Sequence, residues 1–364
     1  MLFRSQSEDY RIFKTLPTIK YLINRGARVI ILAHLGRPNG KVVEKFRLNP
    51  VARRLSQLIK KKIAKSDIII GVETERKIAK MKNGDVLMLE NVRFDKHEEL
   101  ADKQFAKQLA LLGDLYVNDG FAVSHRDQAS VSTIQDYLPS YAGLLLEEEV
   151  RHLTRALKNP RQPLVVIIGG AKMETKIKVI KNFAKVAKKI LLGGALANTV
   201  LHVMGVSVGK SVLEPEMFGE IKKLKLTDNV IVVPVDGILS KSVKAKRGRA
   251  DALADIRLDE LILDIGPDTV RLYEKILKSA KMIIWNGPMG LIENPAFAKG
   301  TTALIKILAH SRAETIIGGG ETVEMIRKMK LENKFNFVST GGGAMLEFLE
   351  GKKLPGLRKI VKNY

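Results

Sequence analysis

Cysteine is absent from the 364-residue chain, which removes disulfide scaffolds, thiol nucleophiles and cysteine-bound zinc from consideration. Long apolar runs are missing as well. Stretches such as 164–168 fall far short of the roughly 20 residues that a membrane-spanning helix needs. The opening residues 1–6 lack the apolar core of a signal peptide. The expectation is a soluble cytoplasmic protein with no membrane attachment. Aromatic residues make up only 5% of the chain, and no aromatic-rich platform, Cys/His finger or basic zipper is present, so the usual nucleic-acid-binding signatures are lacking. Acidic residues are scarce relative to basic ones, 39 against 62, and the resulting net charge of +23 makes anionic partners the expectation.

The length suggests about two domains, each able to bury a core. Basic residues concentrate at 41–62, with eight Lys/Arg against Glu44 alone, and at 171–189, with seven lysines against Glu174 alone. Both stretches carry helical apolar spacing. In the second, Ile177, Ile180, Phe183, Ala184 and Ala187 fall on one face, so the lysines read as the solvated side of an amphipathic helix rather than a nucleic-acid surface.

Short β-branched runs alternate with longer helical patterns, the signature of parallel α/β units. Strands are expected at 29–32, 68–70, 86–89 and 115–117 in the first part. In the second part they are expected at 165–168, 190–192, 230–233, 261–263, 282–285, 315–317 and 337–338. Apolar runs such as LVVII suit strands buried on both faces. The expected fold is α/β, with two Rossmann-like, doubly wound parallel-sheet domains of three α/β/α layers, joined by a helix with a cleft between them. The joining helix is expected at 144–157, stopped by the breaker cluster Asn159-Pro160-Arg161-Gln162-Pro163.

Ligands of open parallel sheets bind beyond the carboxyl ends of the strands. In the first half those positions hold His34 and Arg37, then Asn91 and Arg93, then Asn118, Asp119, His125 and Arg126. In the second half they hold Gly169-Gly170-Ala171-Lys172, Gly193-Gly194-Ala195, Asn286-Gly287-Pro288, Gly318-Gly319-Gly320 and Gly341-Gly342-Gly343. A single Gly-Gly turn is usually turn chemistry, and a single arginine after a strand is usually a surface residue. Their repetition points elsewhere. Arg37, Arg93 and Arg126 can grip a small, multiply charged acid through planar forks. Repeated glycine turns, with Lys172 and Lys176 expected on one helical face, can bring backbone N–H groups to a phosphate.

Other nucleotide motifs fail. The stretch 205–211, GVSVGKS, resembles a Walker A loop but has one residue too few between its glycines and follows a helical pattern. No G-x-G-x-x-G follows a strand, and no hydrolase signature is present. The residues read as a two-lobed transferase, an arginine-lined lobe for an anionic metabolite and a glycine-lined lobe for a nucleotide. Phosphoryl transfer suits this arrangement, since its catalysis is mainly positioning and charge neutralisation.

The motifs RIFKTLPTIK at 11–20, HLGRP at 34–38, LENVRF at 89–94, YVNDGF at 116–121, SHRDQAS at 124–130, GGAK at 169–172, LDIGP at 263–267, WNGPMG at 285–290, GGGET at 318–322, STGGGA at 339–344 and LEFLEGKKLPG at 346–356 follow one another along the chain. In this order and spacing the sequence closely resembles the phosphoglycerate kinase family over essentially its whole length. The resemblance implies a substrate lobe at 1–145 plus 346–364, an interdomain helix and linker at 146–163, and a nucleotide lobe at 164–345. It implies reversible phosphoryl transfer between 1,3-bisphosphoglycerate with MgADP and 3-phosphoglycerate with MgATP. It further implies that His34, Leu35, Gly36, Arg37, Arg93 and Arg126 hold the acid. Arg11 would reach its carboxyl oxygen and the transferring phosphoryl, which Lys172 and the amides of Gly342 and Gly343 would stabilise in flight. Lys176, Asn286, Pro288, Glu293, Gly319, Gly320, Glu321 and Thr322 would bind the nucleotide, with Glu321 near Mg²⁺. The family expectation is a monomer, with no membrane or nucleic-acid partner.

Several positions depart from the family. Ala122 and Val123 stand where Gly-Thr is usual, Ala195 replaces a third glycine, and Glu321 replaces an aspartate. The family also opens with a strand ending in an Asp-x-Asn motif that is not in this sequence, and a displaced start or trimmed chain is expected rather than a naturally shortened protein. The rival expectation is a catalytically impaired relative that retains nucleotide binding or binds nucleic acid through its basic surface.

Overall fold

The computed structural model describes residues 6–361 apart from 225, 227 and 228. Expectations placed on residues 1–5 and 362–364 lie outside the described residues. The chain divides into two compact units, one of residues 1–151 with 353–364, the other of residues 152–352. The first division falls inside the helix Leu144–Lys158, one residue longer than the periodicity predicts. The second falls after residue 352 rather than at 345, because the helix Gly342–Leu349 is tied to the second unit. Asn182 Nδ2, on helix Ile177–Phe183, donates to the carbonyls of Leu349 and Glu350.

The strands are β1 (Val29–Ile31), β2 (Ala64–Lys65), β3 (Val86–Met88), β4 (Tyr116–Asn118) and β5 (Ser140–Ala142) in the first unit. The second unit holds β6 (Leu164–Ile168), β7 (Lys189–Leu192), β8 (Ile231–Val232), β9 (Asp236–Ser240), β10 (Arg249–Ala252), β11 (Leu261–Ile265), β12 (Met282–Asn286), β13 (Glu314–Gly318) and β14 (Phe337–Val338).

The second unit is built on a six-stranded parallel sheet in the order β14-β13-β12-β6-β7-β8. Every residue of β6, β12 and β13 is buried, as a strand covered on both faces requires. The chain runs β6, β7, β8 to one side and β12, β13, β14 to the other. The switch point therefore lies between β6 and β12, where an open α/β sheet leaves a crevice at its carboxyl edge. The segments that follow these two strands are Gly169-Gly170 and Gly287-Pro288.

Beside this sheet stands a three-stranded antiparallel sheet, β10-β9-β11. The expected doubly wound parallel sheet is present in this unit, and the antiparallel sheet is an addition to it. The 261–263 run, read as parallel, pairs antiparallel with β9, whose sequence DGILS has no alternation to announce it.

In the first unit, parallel strands form two separate pieces, β1-β3-β2 and β4-β5. A single doubly wound sheet was the expectation. β1 pairs only with β3 and β4 only with β5 among the described residues, so no strand joins the pieces. One core gathers Leu16 and Ile19 of helix Gln6–Asn24 with Leu48, Ala52, Leu55 and Met88. A second gathers Phe105, Ala106, Leu109, Ala110, Ala129 and Ile134.

The run at 68–70 is not a strand. The pairing edge lies earlier, where Lys65 registers with Met88 and the Ser66 amide donates to the Met88 carbonyl at 2.9 Å. Ile69 and Ile70 pack against the second core from a turn instead. The terminal segment also belongs to this unit. Asn118 Nδ2 and Gln135 Nε2 each donate to the Gly356 carbonyl at 2.9 Å, and the Gly356 amide donates to Ser124 O at 2.8 Å.

Candidate active-site residues in the two units

In the first unit the residues after β1, β3 and β4 form one cationic cluster. Asn91 Nδ2 donates to the carbonyls of Leu35 (2.8 Å) and Phe46 (3.0 Å), and its Oδ1 accepts the Arg93 amide at 3.1 Å. That clamp fixes the His34–Arg37 loop against the Arg93 turn. Gly36, at φ +68, lies so close to Phe46 that a Cβ would stand 2.4 Å from its ring, so the loop admits no side chain there.

Arg93 is almost fully buried, at 2% exposure. Its Nη1 donates to Gly36 O at 3.0 Å, while its Nε has no hydrogen-bond partner and lies 3.5 Å from Glu99 Oε1. Burial, then the neighbouring Arg126 charge, weaken its hold on the proton. His34 is pushed down to about 3, by burial first and then by the charges of Arg93, Arg126 and Arg11. It is therefore a neutral imidazole amid arginines at physiological pH. Arg37 adds its charge to the surroundings of Arg93. A buried guanidinium without a hydrogen bond at Nε, beside a histidine kept neutral by burial and by neighbouring cations, is an arrangement able to receive a multiply charged anion.

Two acidic side chains shape this cluster: Glu98, which sequence reasoning missed, and Asp119, which it placed after a strand without giving it a role. Glu98, 1% exposed, accepts the Ser130 amide at 2.9 Å and the Ser130 hydroxyl at 2.7 Å, holding the segment that carries Arg126 and Gln128. Burial raises its pKa, opposed by the Ser130 bonds. Asp119 accepts Thr15 Oγ1 at 2.6 Å and the Leu145 amide at 3.0 Å, joining the Arg11 helix to the start of helix Leu144–Lys158. These bonds span 26 to 104 residues of sequence, so no local pattern could have disclosed them.

In the second unit a cavity of about 230 Å³ opens at the carboxyl edge of β12 and β13. Its lining includes Lys176, Asn286, Pro288, Gly319, Gly320, Glu321, Gly342 and Gly343, together with Thr175, Gly287 and Leu346. The glycines divide into two kinds. A Cβ on Gly169 would stand 2.1 Å from Pro288 O, and one on Gly287, at φ +90, 2.3 Å from Gly169 O. These glycines let loops lie on one another. A Cβ on Gly320 would meet nothing within 4 Å, so its bare backbone faces open space at the start of helix Gly320–Lys328. Helix Gly342–Leu349 starts at the same cavity. Two helix N-termini, each with unpaired N–H groups and about half a positive charge, thus meet one small cavity.

Lys176 is buried in this lining and donates from Nζ to Gly169 O at 2.6 Å. Burial lowers its pKa to about 8, against the raising influence of Glu321 and Glu214. Thr322 Oγ1 is fully buried without a hydrogen-bond partner among the described residues. Residues 171–176 are not helical, contrary to expectation. Lys172 is exposed on an irregular segment and Lys176 precedes the helix Ile177–Phe183, so the two lysines do not share a helical face. Glu293 is exposed and lies outside the cavity lining. A larger open depression of about 470 Å³ by Gln162, Pro163 and Lys185–Lys188 carries none of the expected site residues.

Among the described residues no group of three or more His, Cys, Asp or Glu side chains could cage a metal ion, and no helix is long and apolar enough to cross a membrane. The family model described as phosphoglycerate kinase matches residues 5–352. Phosphoglycerate kinase of Pelotomaculum thermopropionicum is 42% identical over 360 residues, 98% of this chain and 92% of that protein. The Dictyoglomus turgidum enzyme of the same name is 44% identical over 359 residues, 96% of this chain and 90% of its own. The solved phosphoglycerate kinase of Coxiella burnetii superposes with a TM-score of 0.83 at 38% identity, covering 99% of this chain and 92% of that one. That of Pyrococcus horikoshii gives 0.86 at 34% identity, covering 96% and 90%.

Proposed function

Because the chain belongs to the phosphoglycerate kinase family, we propose that it transfers a phosphoryl group reversibly between 1,3-bisphosphoglycerate with MgADP and 3-phosphoglycerate with MgATP. The observation that carries the reading is the arginine cluster around neutral His34, which suits a phosphorylated acid. The glycine cavity of the second unit, with Lys176 and two helix starts, supports a polyphosphate there.

In this reading Arg93, Arg126, Arg37 and neutral His34 bind the acid, with Leu35 and Gly36 shaping the loop, while Arg11 supplies charge toward its carboxyl end. A carboxylate oxygen attacks the γ-phosphorus in line, forming the acyl phosphate as the bond from that phosphorus to the β-phosphate oxygen breaks and ADP leaves. The attacking oxygen carries no proton at pH 7, so no general base is required. Lys172 and the amides of Gly342 and Gly343 neutralise charge on the moving group, which is where electrostatic catalysis acts most strongly. Lys176, Gly319, Gly320 and Thr322 hold nucleotide phosphates. Asn286 and Pro288 line the pocket, and Glu293 is assigned to the ribose.

The cavity fits a phosphate-borne Mg²⁺. Glu321 is the one carboxylate in its lining, so the ion would be held mostly by nucleotide phosphates and water. When bound, Mg²⁺ neutralises phosphate charge. A cytoplasmic monomer is the corresponding cellular reading.

The test is a coupled assay with MgATP and 3-phosphoglycerate. We expect turnover by the wild-type chain and a loss of about 100-fold or more in kcat for Lys172→Ala, with KM values little changed, as removal of a transition-state contact requires. An inactive wild-type chain, or a fully active Lys172→Ala, would contradict the reading.

A further inference from the structure

The segment 171–176 carries both lysines of the proposed nucleotide site, yet neither helix nor strand fixes its backbone. Glu214 does so from forty residues away. Its Oε1 accepts the Met173 amide at 2.5 Å and its Oε2 accepts the Glu174 amide at 3.2 Å. These are charge-assisted bonds, stronger than neutral ones. The carboxylate is itself anchored from behind. The Glu214 amide donates to Thr199 Oγ1 at 3.3 Å, and its carbonyl accepts the Met217 amide at 3.0 Å. Thr199 is buried on helix Gly194–Val203, and Leu196 of that helix donates its amide to Gly170 O at 3.1 Å. One helix thus holds the lysine segment at its start directly and at its middle through Glu214.

We propose that Glu214 is a positioning residue for phosphoryl transfer, setting the Met173–Glu174 backbone and with it the reach of Lys172 and Lys176. The inference rests on the kinase reading above. Positioning at this level is catalytically expensive to lose, since a misplacement of about 1 Å can cost on the order of 100-fold in rate. Glu214 acts on Lys176 through charge as well. The groups around that ammonium are the Gly169 carbonyl, Glu321 and Glu214. Both carboxylates favour its protonated form against burial.

Glu214→Gln keeps size and removes charge, and it offers only one acceptor oxygen to two amides. In the coupled assay we expect kcat to fall about 10- to 100-fold, with KM for 3-phosphoglycerate within about twofold. In a separate titration with a fluorescent ATP analogue, the pH above which affinity declines should move downward, because Lys176 loses a favourable charge. Glu214→Asp keeps the charge and shortens the reach by one methylene, so it should lower kcat while leaving that pH in place. A merely structural role would lower the melting temperature but leave kcat per folded molecule and the alkaline limb where they are. That result overturns the proposal. Should Glu214→Gln fail to fold, a wild-type kcat in Glu214→Asp overturns it equally. A wild-type chain that binds nucleotide but transfers nothing refutes the kinase reading, and the shift of the binding limb in Glu214→Gln still decides whether the carboxylate governs Lys176.

Discussion

In the proposed reading the first unit meets an anion by burying a guanidinium, whereas the second meets one by clearing side chains away. Arg93 sits at 2% exposure with no hydrogen bond at its Nε, and burial, then the charges of Arg93, Arg126 and Arg11, keep His34 neutral. In the second unit backbone adds to the Lys176 ammonium, with Gly320 open to space and two helices starting at one cavity. The difference follows from the ligands proposed. A small acid offers few oxygens and needs bidentate forks to be selected. A polyphosphate offers many, and a nest of amides can follow its chain closely. Each unit supports its device with a remote carboxylate bonded to backbone, Glu98 at the Ser130 amide and Glu214 at the Met173 amide.

The largest expected effect breaks the first half of this contrast. Arg93→Ala should raise KM for 3-phosphoglycerate about 100-fold, equivalent to ~3 kcal/mol, while leaving nucleotide affinity within about twofold. An equal loss on both ligands would mean that the units are not chemically separate.

The second half breaks at Gly319. Its φ is +91 and a Cβ would lie 3.0 Å from the Gly287 amide. Forcing an alanine into that backbone costs ~1–2 kcal/mol, so Gly319→Ala should weaken nucleotide binding about tenfold and spare acid binding. Titration of each ligand separately checks both outcomes.

A pH series sharpens the contrast. Lys176 loses its proton as pH rises through about 8, so KM for nucleotide should climb above that value. Acid binding should stay nearly flat from pH 7 to 8, where the ligand's phosphate is almost fully ionised, because His34 already titrates near 3 and arginines remain charged. A parallel rise in both KM values would assign the titration to something shared.

The smallest effect is one of stability. Asp264 accepts the amides of Gly300 at 2.7 Å and Ile265 at 2.9 Å, and burial raises its pKa to about 7. The folded chain keeps this proton up to about pH 7, while the unfolded chain releases it in the ordinary carboxylate range. The group's contribution to stability is thus full at low pH and lost as pH rises through 7. Relative to wild type, Asp264→Asn should gain melting temperature between pH 4 and 8. A constant offset would contradict that assignment.

Much of the sheet framework could be read directly, and the reason is burial on both faces. LVVII is a continuous apolar run, MIIWN is apolar up to its last residue and ETIIG is buried throughout, and each strand extends at most one residue beyond the expected limits at either end. Strands set by partners rather than by composition were invisible. β2 is Ala64–Lys65, a pair with no strand signal, which exists because Met88 lies beside it. β9 and β10, DGILS and RADA, owe their pairing to each other and to β11. At the sites, residue types after strands were legible because the ligand edge of a parallel sheet is a fixed address. The carboxylates behind them were not, since Glu98 reaches Ser130 and Glu214 reaches Met173 only through tertiary structure. The irregular 171–176 segment was misread for the same cause: its lysine spacing fits a helix, but Glu214 takes two of its amides.

Hydrogen exchange on the wild-type chain with each ligand added alone tests the division of labour most directly. With 3-phosphoglycerate, protection should rise at 34–37, 91–93 and 124–130 and nowhere in 169–176 or 319–343. With MgATP, protection should rise at 169–176, 286–288, 319–322 and 342–343 and not in the arginine cluster. Protection of the arginine cluster by the nucleotide, or of the glycine cavity by the acid, would contradict the account.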